Sequence, residues 1–192
     1  MEPPRTGQII LLNGTSSAGK TSIARELLPL LDRPYYFMPV DALNSMRHQR
    51  PMSPDELEAT LQRLAAGYHR AAAGMAEGGN DVVLDHVLRR PEWLRECVEL
   101  FPADVVFVKV HCPLPELQRR EAARGDRPIG KAESQYPLVH RDAVYDVEVD
   151  TSELSPRDCA ERIKSFVDAP SGERAFARLA ARWAAASPPA LA

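Results

Sequence analysis

Residues 14–21 read Gly-Thr-Ser-Ser-Ala-Gly-Lys-Thr, with residue types and spacing that suit the binding of phosphate groups. The pattern is G-x-x-x-x-G-K-[ST], in which two glycines let the backbone bend until successive N–H groups point at a phosphate. The lysine brings positive charge to the β- and γ-phosphates of a nucleotide, and the threonine hydroxyl is a ligand for Mg²⁺. We therefore expect this segment, the 14–21 loop, to bind ATP and Mg²⁺ through Gly14, Thr15, Ser16, Ser17, Ala18, Gly19, Lys20 and Thr21. The alternative is a glycine-rich turn that binds nothing.

Two acidic residues, Asp41 and Asp85, follow strand-like runs at residues 35–40 and 81–84. Ligands in an open α/β sheet bind outside the carboxyl ends of the strands, so both acids are candidates for chemistry. We expect Asp85 to hold Mg²⁺ or its bound water beside the 14–21 loop. Asp41, Asp85 and His86 are the candidates for contact with an acceptor. The alternatives are a helix N-cap or a surface turn for each acid and a structural role for the histidine.

A cluster of arginines surrounds residues 124–130, where a predicted helix breaks into a glycine-containing loop. Arginines on a closing loop can stabilise the negative charge that spreads over a transferring phosphoryl group and can exclude water. We expect a lid over about residues 120–135, in which Arg124 and Arg127 are catalytic and Arg120 contacts ATP. The alternative is a solvated, charged helix face.

The elements that must position these residues alternate between strand and helix. Strand-like runs lie at residues 8–13, 35–40, 81–85, 104–112 and 145–150, and helical patterns separate most of them. We expect helices at 20–31, from Ser53 onward and at 156–167, where Ser53 and Glu56 form a capping box and Ser155 precedes a second capped helix. This alternation predicts an α/β fold with a mostly parallel sheet. An amphipathic helix at 173–186 and a frayed end at 187–192 complete the prediction.

Length and composition favour one globular domain with a short appended segment. The chain has 192 residues, of which 44% are hydrophobic and 27% charged. Its formal charge is −3, whereas proteins that bind nucleic acids without sequence preference normally carry a large basic excess. We expect no nucleic-acid partner, no membrane segment and no secretory signal, and hence a soluble cytoplasmic protein. The spacing of Cys97, Cys112 and Cys159 supports neither a disulfide framework nor a structural zinc site.

Sequence motifs that the chain lacks argue against several classes of nucleotide-binding protein. A GTPase needs Asn-Lys-x-Asp to read its base and a switch Asp-x-x-Gly, and neither occurs in the sequence. A transporter ATPase or a motor normally needs a longer chain with further motifs. A small kinase, with ATP on the loop and an acceptor at a second site, is the remaining class.

Six segments in order resemble one family. They are residues 9–21, Val40-Asp41-Ala42-Leu43, residues 82–85, Ala123-Arg124-Gly125-Asp126-Arg127 with Gly130, Val139-His140, and residues 145–151. Together they resemble the chloramphenicol phosphotransferase-like P-loop kinases over about residues 8–167. The resemblance implies a three-layer fold with a five-stranded parallel sheet, similar to nucleoside monophosphate kinases. It also implies ATP-dependent phosphorylation of a small-molecule hydroxyl, with Asp41 as the catalytic base. We expect a kinase domain at 1–168 and, beyond the matched region, a helical extension at 169–192.

Residues 42–51, Ala-Leu-Asn-Ser-Met-Arg-His-Gln-Arg-Pro, are expected to shape the acceptor pocket. They are short and basic, unlike the apolar and acidic segment of the antibiotic-binding part of the family's namesake. The acceptor is therefore open between an antibiotic such as chloramphenicol and a metabolite or nucleotide. A nucleotide-dependent regulatory protein with little transfer activity is an alternative of another class. The sequence leaves the oligomeric state open.

Overall fold

A computed structural model describes residues 5–124 and 129–186 of the chain. The described residues form a five-stranded sheet in the order β2-β3-β1-β4-β5, and all four pairings are parallel. The predicted α/β class and the five-stranded parallel sheet are confirmed. The strands are β1 (Ile9–Asn13), β2 (Tyr35–Pro39), β3 (Asp81–His86), β4 (Val106–His111) and β5 (Val147–Asp150).

Helices connect the strands and cover both faces of the sheet. In the described part of the chain they are α1 (Lys20–Leu27), α2 (Val40–Ser45), α3 (Pro54–Glu77), α4 (Pro91–Leu100), α5 (Leu114–Arg124), α6 (Lys131–Val139), α7 (Pro156–Asp168) and α8 (Ala175–Ala186). None of these helices is long and apolar enough to cross a membrane.

Strand β1 lies at the centre of the sheet, and all five of its residues are buried. Ile9 and Leu11 pack in the layer formed with α3, α4 and α8, whereas Ile10 and Leu12 pack in the opposite layer with α1 and α7. A run of apolar residues without alternation is what a strand covered on both faces requires. The carboxyl end of this buried strand leads directly into the 14–21 loop, so the core sets the position of the loop.

One helix end and one helix cap differ from the sequence-based expectation. Helix α1 ends at Leu27 rather than near residue 31, because Pro29 lacks an N–H and its ring clashes with the preceding turn. Ser53 does cap α3 by accepting the Glu56 N–H at 3.2 Å. However, the Glu56 side chain binds Arg50 and so does not complete the expected capping box. The expected cap at the start of α7 is present, with both hydrogen bonds between Ser155 and Asp158.

The last helix, α8, packs on the sheet. Its residues Ala175, Phe176 and Leu179 are buried in the same layer as Phe107 of β4. One carboxylate joins the two elements, because Asp146 accepts the N–H of Ala175 at 2.7 Å and the N–H of Phe107 at 2.8 Å. The segment after α7 therefore contributes to the core that supports β4.

Candidate active site

The 14–21 loop joins β1 to α1 and turns back on itself through left-handed backbone conformations. Gly19 has φ 88° and Ser17 has φ 64°. At Gly14 a side chain is excluded, because an added Cβ would lie 2.5 Å from the carbonyl oxygen of Val110 on β4. Left-handed residues in a tight loop turn successive N–H groups toward one point, which forms an anion-binding concavity at the start of a helix. The buried Ser17 hydroxyl has no hydrogen-bond partner among the described residues, and it lines the adjacent cleft. The loop therefore fits a phosphate group.

Lys20, Thr21 and Asp85 form one connected group at the start of α1. The Lys20 ammonium donates to the carbonyls of Gly14 and Thr15 at 2.9 and 2.8 Å, and it lies 3.6 Å from the Asp85 carboxylate. The Thr21 hydroxyl donates to the other oxygen of Asp85 at 2.6 Å. Register places Asp85 beside Leu12 on the neighbouring strand, which explains how a residue 64 positions away reaches the loop. The threonine and aspartate oxygens are hard ligands of the kind that Mg²⁺ prefers.

Asp41 lies across the same cleft, which has a volume of about 430 Å³. It occupies the first turn of α2, and the N-cap of that helix is Pro39. Asp41 is therefore not the N-cap of α2. It lines the cleft, where a residue with a role in the chemistry is expected to lie. The predicted site residues that line this cleft are Ser16, Ser17, Gly19, Lys20, Thr21, Asp41, Asp85, Arg120 and Arg124, while Gly14, Thr15 and Ala18 lie in the loop behind it.

Arg120 is held over the 14–21 loop by Thr151, which follows β5. Its guanidinium donates to the hydroxyl of Thr151 at 2.9 Å and to the carbonyl at 2.7 Å, and it also binds Glu116 at 2.7 Å. The Thr151 hydroxyl in turn donates to the carbonyl of Ala18 at 3.0 Å. This arrangement joins α5, β5 and the loop at the mouth of the cleft. Arg124 also lines the cleft, whereas Arg127 lies outside the described residues.

Three buried polar residues connect the loop to α5 and α6, and sequence reasoning missed them. Gln135 of α6 accepts the N–H of Ser16 at 2.8 Å, and Asn13 donates to the carbonyl of Val139 at 2.9 Å. Glu121 of α5 accepts the N–H groups at the start of α6, at 2.7 and 3.0 Å. The contact between Gln135 and the loop spans 119 positions, so no local pattern could reveal it. The sequence offered one sign of these contacts, because Asn13 is a polar residue at the end of an otherwise apolar strand.

His86 is not in the cleft, which corrects its expected contact with an acceptor. Successive side chains of a strand point to opposite faces, so Asp85 faces the loop while His86 faces α3 and α4. Its ring is 2% exposed and stacks on Trp93 at 5.6 Å. Glu96 accepts a hydrogen bond from Nδ1 of His69 at 2.8 Å, and Nε2 of His69 lies 3.0 Å from Nε2 of His86. The pair is therefore part of a buried network that joins β3 to α3 and α4.

The buried histidines predict that the protein loses stability below neutral pH. Burial holds the pKa of His69 below its usual value against the opposing effect of Glu96, holds that of His86 well below it, and lowers that of His140 to about 4. Unfolded histidines titrate near about 6.5, so below that pH the unfolded chain binds protons that the folded chain does not. We expect the urea midpoint to fall between pH 7 and pH 5. A midpoint that is constant or rises over this range would contradict these histidine positions.

Comparisons with known proteins agree with this geometry. The family model for chloramphenicol phosphotransferase-like proteins matches residues 7–168. A Mycobacterium tuberculosis protein named for an O-phosphotransferase activity, found in strains CDC 1551 and H37Rv, is 31% identical to this chain. The alignment has 202 positions and covers 92% of this chain and 89% of that protein. Among solved structures, the APS kinase of M. tuberculosis matches with a TM-score of 0.65 and 17% identity over 87% of this chain and 100% of its own. Shikimate kinase from Acinetobacter baumannii matches with a TM-score of 0.62 and 18% identity over 85% and 94%.

The two kinase structures establish the shared fold, and the family is established by the sequence matches. The matched residues 7–168 contain the 14–21 loop, Asp41, Asp85 and the α5–α6 region, which are the elements that form the cleft. The chain belongs to the chloramphenicol phosphotransferase-like family.

Proposed function

We propose that this protein is an ATP-dependent O-phosphotransferase that transfers the γ-phosphoryl group of ATP to a hydroxyl of a small molecule. The observation that carries the proposal is the placement of Lys20, the Thr21–Asp85 pair and Asp41 on the walls of one cleft. In phosphoryl transfer the protein acts mainly by positioning the reactants and by stabilising charge, which requires few side chains in a sheltered site. The cleft supplies a phosphate-binding loop on one side and a carboxylate on the other.

The residues of the loop side bind and polarise the triphosphate. The N–H groups of the 14–21 loop donate hydrogen bonds to the β- and γ-phosphates, and Lys20 places a positive charge where negative charge develops during transfer. Because Lys20 is 6% exposed, water screens this charge weakly. Thr21 and Asp85 would hold Mg²⁺, which when bound neutralises phosphate charge. Arg120 and Arg124 line the mouth of the same cleft and add positive charge there.

Asp41 orients the acceptor hydroxyl and receives its proton. The new P–O bond forms from the acceptor oxygen, the bond to the β-phosphate oxygen breaks, and ADP leaves with that oxygen. An alcohol is far less acidic than a carboxylic acid, so Asp41 takes the proton late, as the P–O bond forms. Asp41 therefore contributes both by positioning the oxygen for in-line attack and by accepting the proton as the bond forms.

The proposal predicts that ADP release depends on an acceptor. A panel of hydroxylated antibiotics including chloramphenicol, sugars, hydroxy acids and nucleosides is incubated with Mg²⁺ and ATP, and ADP is measured against protein with ATP alone. We expect at least one compound to raise ADP release and to gain one phosphoryl group by mass. Nucleotide-dependent binding of a protein partner, with no acceleration by any hydroxyl compound, would favour a regulatory protein and contradict the proposal.

A further inference from the structure

Two arginines in the segment just after β3 bind one carboxylate, which belongs to α3. Arg89 donates through Nη2 to both oxygens of Glu58, at 2.9 and 2.7 Å. Arg90 donates through Nε and Nη2 to one of those oxygens, at 3.0 and 2.6 Å. The group, which we call the Glu58 fork, holds two positive charges and one negative charge. It therefore retains a net positive charge.

The Glu58 fork adjoins the cleft without lining it, because its arginines lie two and three residues after Val87. Residues 87–90 leave the carboxyl end of β3, and Val87 lines the cleft together with Asp41. The next residue is tied to the nucleotide side, because the N–H of Leu88 donates to Asn13, the residue before the 14–21 loop, at 2.9 Å. Glu58 lies near the start of α3, against which α2 packs. The fork therefore joins the segment after β3 to α3, the helix that packs against the α2 helix carrying Asp41.

The arginines of the fork are partly buried, and their contacts with Glu58 and Trp93 orient them. Their side chains are 23% and 33% exposed, and Arg89 lies over the Trp93 ring with its central carbon 5.0 Å from the ring centre. Desolvation of Glu58 is outweighed by its hydrogen bonds to Arg89 and Arg90, which hold its pKa below the usual range. In the described part of the chain, Glu58 is the one hydrogen-bond acceptor for either guanidinium. A planar guanidinium in this setting matches a carboxylate or a phosphate with two parallel hydrogen bonds.

A further guanidinium in the basic segment 42–51 has no carboxylate partner among the described residues. Arg47 donates to the thioether of Met52 and to the side-chain carbonyl of Gln49, at 3.7 and 3.2 Å, and both groups are neutral. Its Nε atom is buried and has no hydrogen-bond partner in the same part of the chain. A buried donor without a partner is costly, and an arriving anion would reduce that cost. This residue follows α2, the helix that carries Asp41.

We propose that the acceptor carries an anionic group, a carboxylate or a phosphate, that binds Arg89 and Arg90 in the place that Glu58 occupies. Glu58 then acts as an internal substitute for the anion and keeps the two guanidiniums oriented while the acceptor is absent. The inference rests on the proposed function, because it names the class of acceptor for the same cleft. It favours hydroxy acids and phosphorylated alcohols over neutral antibiotics.

The first test compares matched acceptors that differ only in charge. Shikimate against its methyl ester probes a carboxylate, and adenosine monophosphate against adenosine probes a phosphate. We expect an anionic member to be phosphorylated with kcat/KM about 10- to 100-fold above its neutral partner, as one charge-assisted bidentate contact would give. Replacing both arginines, Arg89→Gln with Arg90→Gln, should remove most of this preference, whereas Arg63→Gln on the exposed face of α3 should preserve it. Equal or better use of the neutral members would overturn the proposal.

A second measurement decides the proposal even if none of these compounds is phosphorylated. Sulfate is titrated in the presence of saturating Mg²⁺ and a non-hydrolysable ATP analogue, so that the 14–21 loop is occupied, and the thermal unfolding midpoint is recorded. We expect the sulfate-dependent rise to be larger in Glu58→Gln than in wild type and smaller in Arg90→Gln. The single variant is used because the double variant could unfold. An equal rise in all variants, including Arg63→Gln, would mean an adventitious ion only and would overturn the anion site, while leaving the kinase proposal to the ADP measurement.

Discussion

Lys20→Ala is expected to keep the fold and to reduce phosphoryl transfer by about 10²- to 10³-fold. The ammonium lies in a nearly dry position, bonded to two carbonyls of its own loop and 3.6 Å from Asp85, so its charge is already oriented before the nucleotide binds. An alanine removes that charge from the place where the transferring phosphoryl group becomes more negative. Water that enters the vacated space replaces it poorly, because solvent dipoles are not oriented in advance.

Single-turnover transfer from radiolabelled ATP measures this effect once an acceptor is known. Far-ultraviolet circular dichroism and the urea midpoint show whether the variant is folded. Lys109→Ala is the matched control, because Lys109 pairs with Glu148 on β5 and lies outside the cleft. A folded Lys20→Ala protein with wild-type transfer would remove the basis for placing the triphosphate on the 14–21 loop.

Asp41→Asn is expected to keep nucleotide affinity nearly unchanged and to reduce acceptor phosphorylation by about 10²- to 10⁴-fold, the usual contribution of a general base. The asparagine can still orient a hydroxyl through its carbonyl oxygen, but it cannot take the proton at the end of transfer. ATP is held by other residues, so binding of the nucleotide alone does not require the carboxylate. The expected signature is a loss in the transfer step without a loss in nucleotide binding.

A close control for this variant exists in the same chain. Asp55 occupies the second residue of α3, and Asp41 the second residue of α2, so each carboxylate faces the positive end of a helix dipole. Asp55→Asn should therefore match any effect on helix stability while leaving transfer intact. Nucleotide titration and single-turnover transfer are compared for both variants. An active Asp41→Asn protein would rule out the base.

The parts of this molecule that follow from local rules were predictable from the sequence. The glycines at 14 and 19 predicted the loop, and the unbroken apolar run before it predicted a strand covered on both faces. The capping residues predicted where two helices begin. The two sequence strings around Asp41 and Asp85 also led to the cleft, because strand ends of a parallel sheet meet at one edge. Membership of the family, and with it the phosphotransferase class, is confirmed by the sequence matches.

The parts that were missed depend on contacts between distant residues, whereas the part that was wrong depends on the alternation of side chains along a strand. Gln135 and Thr151 reach the loop from other elements, and neither has a neighbour pattern that indicates a partner. His86 was placed in the site because it is adjacent in sequence to Asp85, although alternation along a strand turns it to the opposite face. The role of Asp41 stays a prediction that its asparagine variant tests, and the role of Arg124 stays a prediction.

Phosphorus NMR of the complete reaction tests the central claim most directly. The protein is mixed with Mg²⁺, ATP and an acceptor selected by the ADP measurement, and the phosphorus signals are followed with time. We expect the γ-phosphate signal to be replaced by a phosphate monoester signal that couples to the protons of the carbon bearing the acceptor oxygen, in equal amount with ADP. Formation of inorganic phosphate and ADP without any monoester would show hydrolysis instead of transfer and would contradict the account.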